Sequence, residues 1–391
     1  MFSSHSRSIS PEPSRYPRRV TVIGSGNWGS TVSRLVAIRA TRDGNKYYDE
    51  EVRMWVFDEE VDYKGEKRSL VDVINTHHEN VKYLPGITLP DNVVAKADLK
   101  EAVVGADILI FVLPHQFLPK VLSQIRDSVR DDAIAVSLIK GGFDRELQSD
   151  GSSKIVLCSD LISDALPQLR TVAVLMGGNL AIEVARDQFC EATLGCFDRK
   201  SAWILQNLFD SEMFSVNHVR DVQGVEMCGA LKNIVAIGAG FCDGLGLGMN
   251  SKSAVLRIGL EEMRKIIKFI YPDVPDQTFF ESCGVGDLIT TCFGGRNRRC
   301  AEAFARADGK KSWEDIESEL LGGQKLQGTL TLLEIVDVLG DAPIKKELPL
   351  FAAIYRCAFK GAELEEFVKN LNTKQMHPGH AYLVNPYEVK K

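Results

Sequence analysis

Short, continuous apolar runs alternate with helical patterns through the first half of the chain. Val20–Ile23 reads as a strand, followed by a helix that opens near Trp28. Val52–Phe57 reads as a second strand, Asp107–Leu113 (DILIFVL) as a third, Ala133–Leu138 (AIAVSL) as a fourth and Val172–Leu175 as a fifth. Such runs lack the polar–apolar alternation of a sheet with one wet face. They predict a parallel sheet covered by helices on both faces. Polar stretches at Arg39–Glu51 and Glu59–Asn92 interrupt the pattern. From about Asp221 the strand signals fade. Helical patterns take over at Val225–Phe241, Ala254–Phe269, Cys300–Ala305, Trp313–Leu321, Leu330–Val338 and Leu350–Phe359. The expected layout is a disordered tail at 1–18, an α/β nucleotide-binding domain at 19–219 and an all-helical domain at 220–391 that ends in a polar tail. A chain of 391 residues also exceeds the about 250–300 residues at which single cores stop growing.

Composition narrows the function. Hydrophobic residues at 45% and charged residues at 26% are ordinary for a globular protein. A formal net charge of -6 argues against a general binder of nucleic acid or anionic membrane. Nine cysteines without a CxxC pair read as reduced thiols. No uninterrupted apolar run reaches the about 18 residues that a membrane span needs. The first residues, MFSSHSRSISPEPSRYPRR, lack the apolar stretch of a secretory signal. Their Arg and Ser content suits a mitochondrial presequence, but Glu12, Pro11 and Pro13 break any amphipathic helix there. The chain ends YEVKK, with no SKL-type address. The expected location is cytoplasmic. Arg7 stands three residues before Ser10, a spacing that basophilic kinases accept.

The clearest motif is VTVIGSGNWGSTV, in which Gly24, Gly26 and Gly29 form G-x-G-x-x-G between a strand and a helix. Gly24 permits a tight turn, Gly26 lets the backbone approach a pyrophosphate, and Gly29 allows close helix–strand packing. The helix N-terminus then offers N–H groups to phosphates. The motif alone is weak evidence; in this strand–loop–helix setting it marks a Rossmann-type dinucleotide site. Asp58, at the end of the second strand, is placed to accept from the adenosine hydroxyls, and no arginine follows it, so NAD is expected over NADP. The alternative for Asp58 is a solvated strand-end acid. Phe57 beside it either packs on an adenine or fills the core.

A second constellation lies on the helix VEMCGALKNIVAIGAGF. It is apolar nearly all round, with only Glu226, Lys232 and Asn233 as polar interruptions. A buried ammonium is costly unless paired, and desolvation lowers a lysine pKa from about 10.4 toward the range of a general acid. Lys232 is therefore either a proton donor or a structural lysine that snorkels or pairs. Lys140 (SLIKGG) and Asn179 (MGGN) follow strands, where ligand crevices form in open α/β sheets; each is otherwise an ordinary loop residue. In ESCGVGDLITTCFGGRNRR, Asp287 and Thr291 stand at i, i+4 and share one face of a short helix. Gly294-Gly295, then Arg296 and Asn297 opening a new helix, make a phosphate site. Two of the three arginines 296, 298 and 299 read as solvated. Cys283 and Cys292 read as ordinary buried thiols. His115 follows Pro114 at a strand end and is a weaker crevice candidate. No H-E-x-x-H spacing exists, so no metal is expected.

These motifs together resemble the NAD-dependent glycerol-3-phosphate dehydrogenases. The resemblance rests on GSGNWGS (24–30), HENVKYLPG (78–86), ILIFVLPHQF (108–117), SLIKG (137–141), CGALKNIVAIGAGFCDGL (228–245), ESCGVGDLITTC (281–292), FGGRNR (293–298) and GQKLQG (323–328). It implies a Rossmann domain with a parallel-rich sheet, then an all-helical domain like that of 6-phosphogluconate dehydrogenase. It implies a homodimer, with an active site between the domains that passes hydride between NADH and dihydroxyacetone phosphate. By match of motif, Lys232 is the proton donor and acceptor, and Lys140 and Asp287 join it in catalysis. Lys140, Asn233, Thr291, Arg296 and Asn297 hold substrate. Gly24, Ser25, Gly26, Asn27, Trp28, Gly29, Phe57, Phe117, Lys140, Ala181, Arg296, Lys325 and Gln327 contact NAD. The departures are the N-terminal extension, the insertion near 39–50 and the C-terminal tail. A 3-hydroxyacyl-CoA dehydrogenase would need a His–Glu pair that the chain does not offer. A 6-phosphogluconate dehydrogenase also uses a lysine and stays open, as does an NAD(H) sensor without turnover.

Overall fold

The computed structural model describes residues 17–147, 153–340 and 347–371. Ser10 and the rest of 1–16, and the polar tail from 372 on, lie outside the described residues. Arg18, expected in the tail, instead opens the first strand and pairs with Tyr48. Twelve strands follow in chain order: β1 (Arg18–Ile23), β2 (Tyr48–Trp55), β3 (Glu60–Tyr63), β4 (Glu66–Ser69), β5 (Val93–Lys96), β6 (Ile108–Phe111), β7 (Ile134–Ser137), β8 (Asp144–Leu147), β9 (Ser153–Val156), β10 (Thr171–Met176), β11 (Cys190–Gly195) and β12 (Phe214–Val219). Eight of them form one sheet in the order β12-β11-β10-β7-β6-β1-β2-β5, while β3–β4 and β8–β9 are separate hairpins. Neighbours run parallel except β10 and β11. From β1 the chain builds outward through β2 and β5, then returns to β6 and builds the other way. That reversal leaves a crevice outside the carboxyl ends of β1 and β6, the usual ligand position in such sheets.

Seven helices accompany the sheet: α1 (Asn27–Ala40), α2 (Leu70–His77), α3 (Leu99–Val103), α4 (Leu118–Ile125), α5 (Cys158–Ala165), α6 (Ala181–Ala185) and α7 (Arg199–Phe209). The central strands are buried on both faces, as Ile108–Phe111 and Ile134–Ser137 show along their whole length. Three strands of the main sheet carried no sequence expectation. β5 and β12 are edge strands with mixed burial, and β11 begins with the half-polar Cys190-Glu191. The polar insertions are also structured. Residues 48–51 extend β2, and Lys64-Gly65, both with positive φ, turn the β3–β4 hairpin.

Among the described residues, only helices follow β12: α8 (Val222–Gly244), α9 (Met249–Ile270), α10 (Asp287–Gly294), α11 (Arg296–Arg306), α12 (Trp313–Leu321), α13 (Gln327–Leu339), α14 (Pro349–Phe359) and α15 (Leu364–Leu371). α8 is the axis of this half, with α9, α10, α11, α13 and α14 packed around it. It is long and apolar enough to cross a bilayer, yet its apolar stretch is buried within the protein. Close packing against α11 depends on Gly240 and Gly244. A side chain on Gly240 would stand 2.3 Å from the Arg298 carbonyl oxygen, and one on Gly244 would stand 2.5 Å from Ala305 Cβ. The helical core also takes in Phe143, Ile155, Leu157, Val174 and Met176 from the sheet half. The two halves therefore share apolar packing.

Candidate active site

Two glycines of the nucleotide loop have a steric reason to be there. Gly24 sits at φ +122°, and any side chain on it would meet the Val112 carbonyl oxygen at 2.2 Å. It thus lets the turn after β1 cross the end of β6. A side chain on Gly29 would stand 2.1 Å from the Gly24 carbonyl oxygen, so this glycine lets α1 lie against the loop. Gly26 differs: nothing lies within 4 Å of where its side chain would be. That open face lies at the N-terminus of α1, which no side chain caps. Unpaired N–H groups facing open space suit a pyrophosphate. The loop therefore fits NAD. Phe57 is 73% exposed and Phe117 53% exposed, both free to stack on a ring. Ala181 meets the same helix, since Thr31 Oγ1 donates to its carbonyl at 3.2 Å.

Toward the helical half, the charged groups converge. Lys232 is 4% exposed on α8 and Asp287 2% exposed at the start of α10. Lys232 Nζ pairs directly with Asp287 Oδ1, and Lys140 Nζ lies 3.4 Å from Asp287 Oδ2. Thr291 Oγ1 donates to Asp287 Oδ1 at 3.3 Å, the i, i+4 relation expected from the spacing. Lys140 Nζ also donates to the Gly177 carbonyl, and it stands over the Trp28 ring at 5.9 Å. A single carboxylate is thus shared by two ammonium groups, one from each half, beside the nucleotide loop. Burial pulls the Lys232 pKa down to about 8, against the opposing pull of Asp287 and with help from the Lys140 charge. A lysine in that range exchanges its proton near neutral pH, and the surplus positive charge suits an oxygen that becomes negative.

Next to Lys232 on α8, Asn233 Oδ1 accepts from Asn297 Nδ2 at 3.0 Å, and Asn297 Oδ1 accepts from the Gly328 N–H at 2.9 Å. Asn297 so fixes the N-termini of α11 and α13 against α8. Arg296 is exposed and donates to Gln324 Oε1 at 2.8 Å. Arg298 pairs with Asp243 and Glu302 and faces away from this corner, while Arg299 is exposed. Lys325 is exposed and pairs with Glu317 at 2.8 Å. Gln327 lies against the 140–142 turn, where a side chain on Gly141 would stand 3.1 Å from its Cβ. His115 packs on the same turn so closely that a side chain on Gly142 would overlap its ring; burial lowers its pKa.

Two expectations change. Both carboxylate oxygens of Asp58 accept from Ser69 Oγ, and Oδ1 also accepts from the Val71 N–H. This acid is thus engaged with Ser69, the N-cap of α2, and with the first turn of that helix, so its geometry gives a ribose role no support. Asn179 donates to the Glu191 carbonyl at 2.8 Å and braces β11. Sequence reasoning also missed two participants: Asn80, buried under the nucleotide loop, and the Gly177 carbonyl. The first sits in a polar insertion without periodicity, and the second is a backbone group that no residue pattern displays. Among the described residues, no three His, Cys, Asp or Glu side chains gather to hold a metal.

Comparison with known proteins identifies the family that the chain resembles. The family profile "NAD-dependent glycerol-3-phosphate dehydrogenase N-terminus" matches residues 19–202, and the profile for the C-terminus of the same family matches 221–369. Glycerol-3-phosphate dehydrogenase [NAD(+)], cytoplasmic, from Mus musculus is 47% identical over 364 residues, covering 93% of this chain and 99% of that one. The Cuphea lanceolata glycerol-3-phosphate dehydrogenase [NAD(+)] is 50% identical over 340 residues, 86% of this chain and 87% of that one. Among solved structures, the Plasmodium falciparum glycerol-3-phosphate dehydrogenase superposes with a TM-score of 0.83 at 38% identity, covering 92% of this chain and 97% of that one.

Proposed function

The chain belongs to the NAD-dependent glycerol-3-phosphate dehydrogenases, and from that premise we propose how its own residues carry out reversible hydride transfer between NADH and dihydroxyacetone phosphate to give sn-glycerol 3-phosphate. NADH, when bound, supplies the hydride. Gly24–Gly29 and the open N-terminus of α1 hold its pyrophosphate, with Phe57, Phe117, Ala181, Lys325 and Gln327 around the rest. Lys232 donates the proton to the ketone oxygen as negative charge develops there, and takes it back in the reverse direction. Asp287 holds that ammonium in place and Thr291 steadies the carboxylate. Lys140 adds a second positive charge on the same oxygen. Asn233 and Asn297 shape the pocket beside Lys232, and Arg296 leaves Gln324 to grip the substrate phosphate at the start of α11. The observation that carries this reading is the cluster of buried Lys232 and Asp287 with half-buried Lys140 beside the nucleotide loop.

The test is NADH oxidation by dihydroxyacetone phosphate measured beside 6-phosphogluconate oxidation with NAD. Turnover of the first alone is expected; turnover of the second alone would replace this reading. We further propose that the protein acts as a homodimer in the cytoplasm. Sedimentation at twice the 43.3 kDa chain mass and co-fractionation with cytosolic enzymes are the expected results.

A further inference from the structure

We infer that Asn80 is a positioning residue for the cofactor: it aims the Gly26 N–H at the pyrophosphate. The inference rests on the reading that the glycine loop holds NAD. Asn80 is fully buried. Its Nδ2 donates to the Ser25 carbonyl at 2.9 Å and to Ser30 Oγ at 2.8 Å, and its Oδ1 accepts from the Tyr83 N–H at 3.0 Å. Ser30 Oγ in turn donates to the same Ser25 carbonyl at 3.1 Å. A trans peptide is planar, with its C=O and the following N–H pointing in opposite directions. Two donors that hold the Ser25 oxygen inward therefore hold the Gly26 N–H outward. Nothing lies within 4 Å of where a Gly26 side chain would stand, so the loop is open at this residue.

The support beneath Asn80 is itself stiff. The segment around it is closed by a bridge between Glu79 and Thr88 and by the Leu84 N–H on the Asn80 carbonyl at 2.8 Å. It reaches the loop a second time through Asn27, whose Nδ2 donates to the Tyr83 carbonyl at 2.8 Å. Tyr83 Oη donates to Glu59 at 2.9 Å, two residues beyond Phe57. One strap thus braces the pyrophosphate loop against the strand end proposed for the adenosine. Asn80 touches neither substrate nor cofactor; it acts through Ser25 and Ser30.

Calorimetric titration of folded Asn80→Asp with NADH and with ADP-ribose tests this. Aspartate keeps the shape and the acceptor for Tyr83 but loses both donors. Both dissociation constants should rise about tenfold by the same factor, the worth of one or two lost hydrogen bonds. The kcat at saturating NADH and the KM for dihydroxyacetone phosphate should stay unchanged. Unchanged cofactor affinity, or weakening of NADH without ADP-ribose, would overturn the inference, whatever happens to Tm. Asn80→Ala must behave alike. Should neither variant fold, Ser30→Ala must weaken both ligands by about threefold, and no weakening there would overturn it. Gly26→Val separates the underlying reading: if that variant still binds ADP-ribose normally, the loop is not the pyrophosphate site. If Gly26→Val fails to bind while Asn80→Asp binds normally, only the brace falls.

Discussion

A lysine surrounded by α8, α10 and the strand ends is useful only if its proton can leave and return. Its pKa, drawn down to about 8 mainly by burial, sets the sign of the pH dependence. Ketone reduction needs the ammonium, so kcat in that direction should hold below this value and fall as pH rises through it. Alcohol oxidation needs the free amine and should rise over the same range. The Lys140 charge is one cause of the lowering, so Lys140→Met should move both inflections to higher pH; profiles that do not move would remove Lys140 from the proton's surroundings. Lys232→Ala should cost about 10²–10⁴ in kcat while calorimetry still finds NADH binding near its wild-type strength. At the phosphate corner, Arg296→Ala should depress kcat/KM for dihydroxyacetone phosphate far more than for unphosphorylated dihydroxyacetone. Arg296→Lys should recover only part, because the planar fork is gone. Equal proportional losses on both substrates would assign Arg296 to cofactor or fold. Much of this was legible at the level of single residues. A lone cation in an apolar helix, an acid and a threonine four apart, and three glycines at fixed spacing each state their physics in one dimension. Asp58 did not, because a strand-end acid looks the same whether it faces a ribose or the next helix cap. Asn80 did not either, because its partners are a backbone oxygen and a serine fifty positions away.

Elements were readable where burial is uniform and obscure where it is mixed. β6 and β7, covered on both faces, stand as apolar runs in the chain. β5 and β12 lie at the edges, where one face or end stays wet and the pattern dissolves. Helix starts were placed late for a related reason. α9 begins at Met249 with Asn250, Ser251 and Lys252, a polar first turn with no apolar stripe. The packing of α8 on α11 was hidden in plain residues, since Gly240 and Gly244 read as helix-weakening rather than as contact positions. Their role predicts the effect of filling them. Gly240→Val should force α11 away, lowering stability by about 1–3 kcal/mol as overpacked cores do. It should also break the reach of Asn297 to Asn233. A denaturation midpoint and a KM for dihydroxyacetone phosphate, measured on one preparation, check both halves. Wild-type values for both would mean that α11 can slide without consequence to the site.

At the scale of the whole molecule, the two halves meet closely along a shared core. A side chain on Gly229 would stand 2.9 Å from the Met176 sulfur of β10, and one on Gly195 2.4 Å from the Asp221 carbonyl oxygen. Removing the sheet would therefore strip one flank of α8. Residues 220–391 expressed alone should aggregate, whereas a monodisperse helical fragment with native circular dichroism would contradict the shared core. The same helix has a consequence in time as well as in space. Translation runs from the sheet toward the helices, so β12 is finished when α8 emerges, but α11 is not. At ordinary elongation rates that leaves the face of this long apolar helix turned away from the sheet waiting about 3–10 s for α11. During that interval a ribosome-bound chain displays a helix that by length and composition could cross a membrane. Chains stalled before Arg296 should cross-link to holding chaperones or to microsomes more strongly than chains stalled after Leu371. What hides the outer face of α8 is the later helices, and it is hidden only once they have arrived.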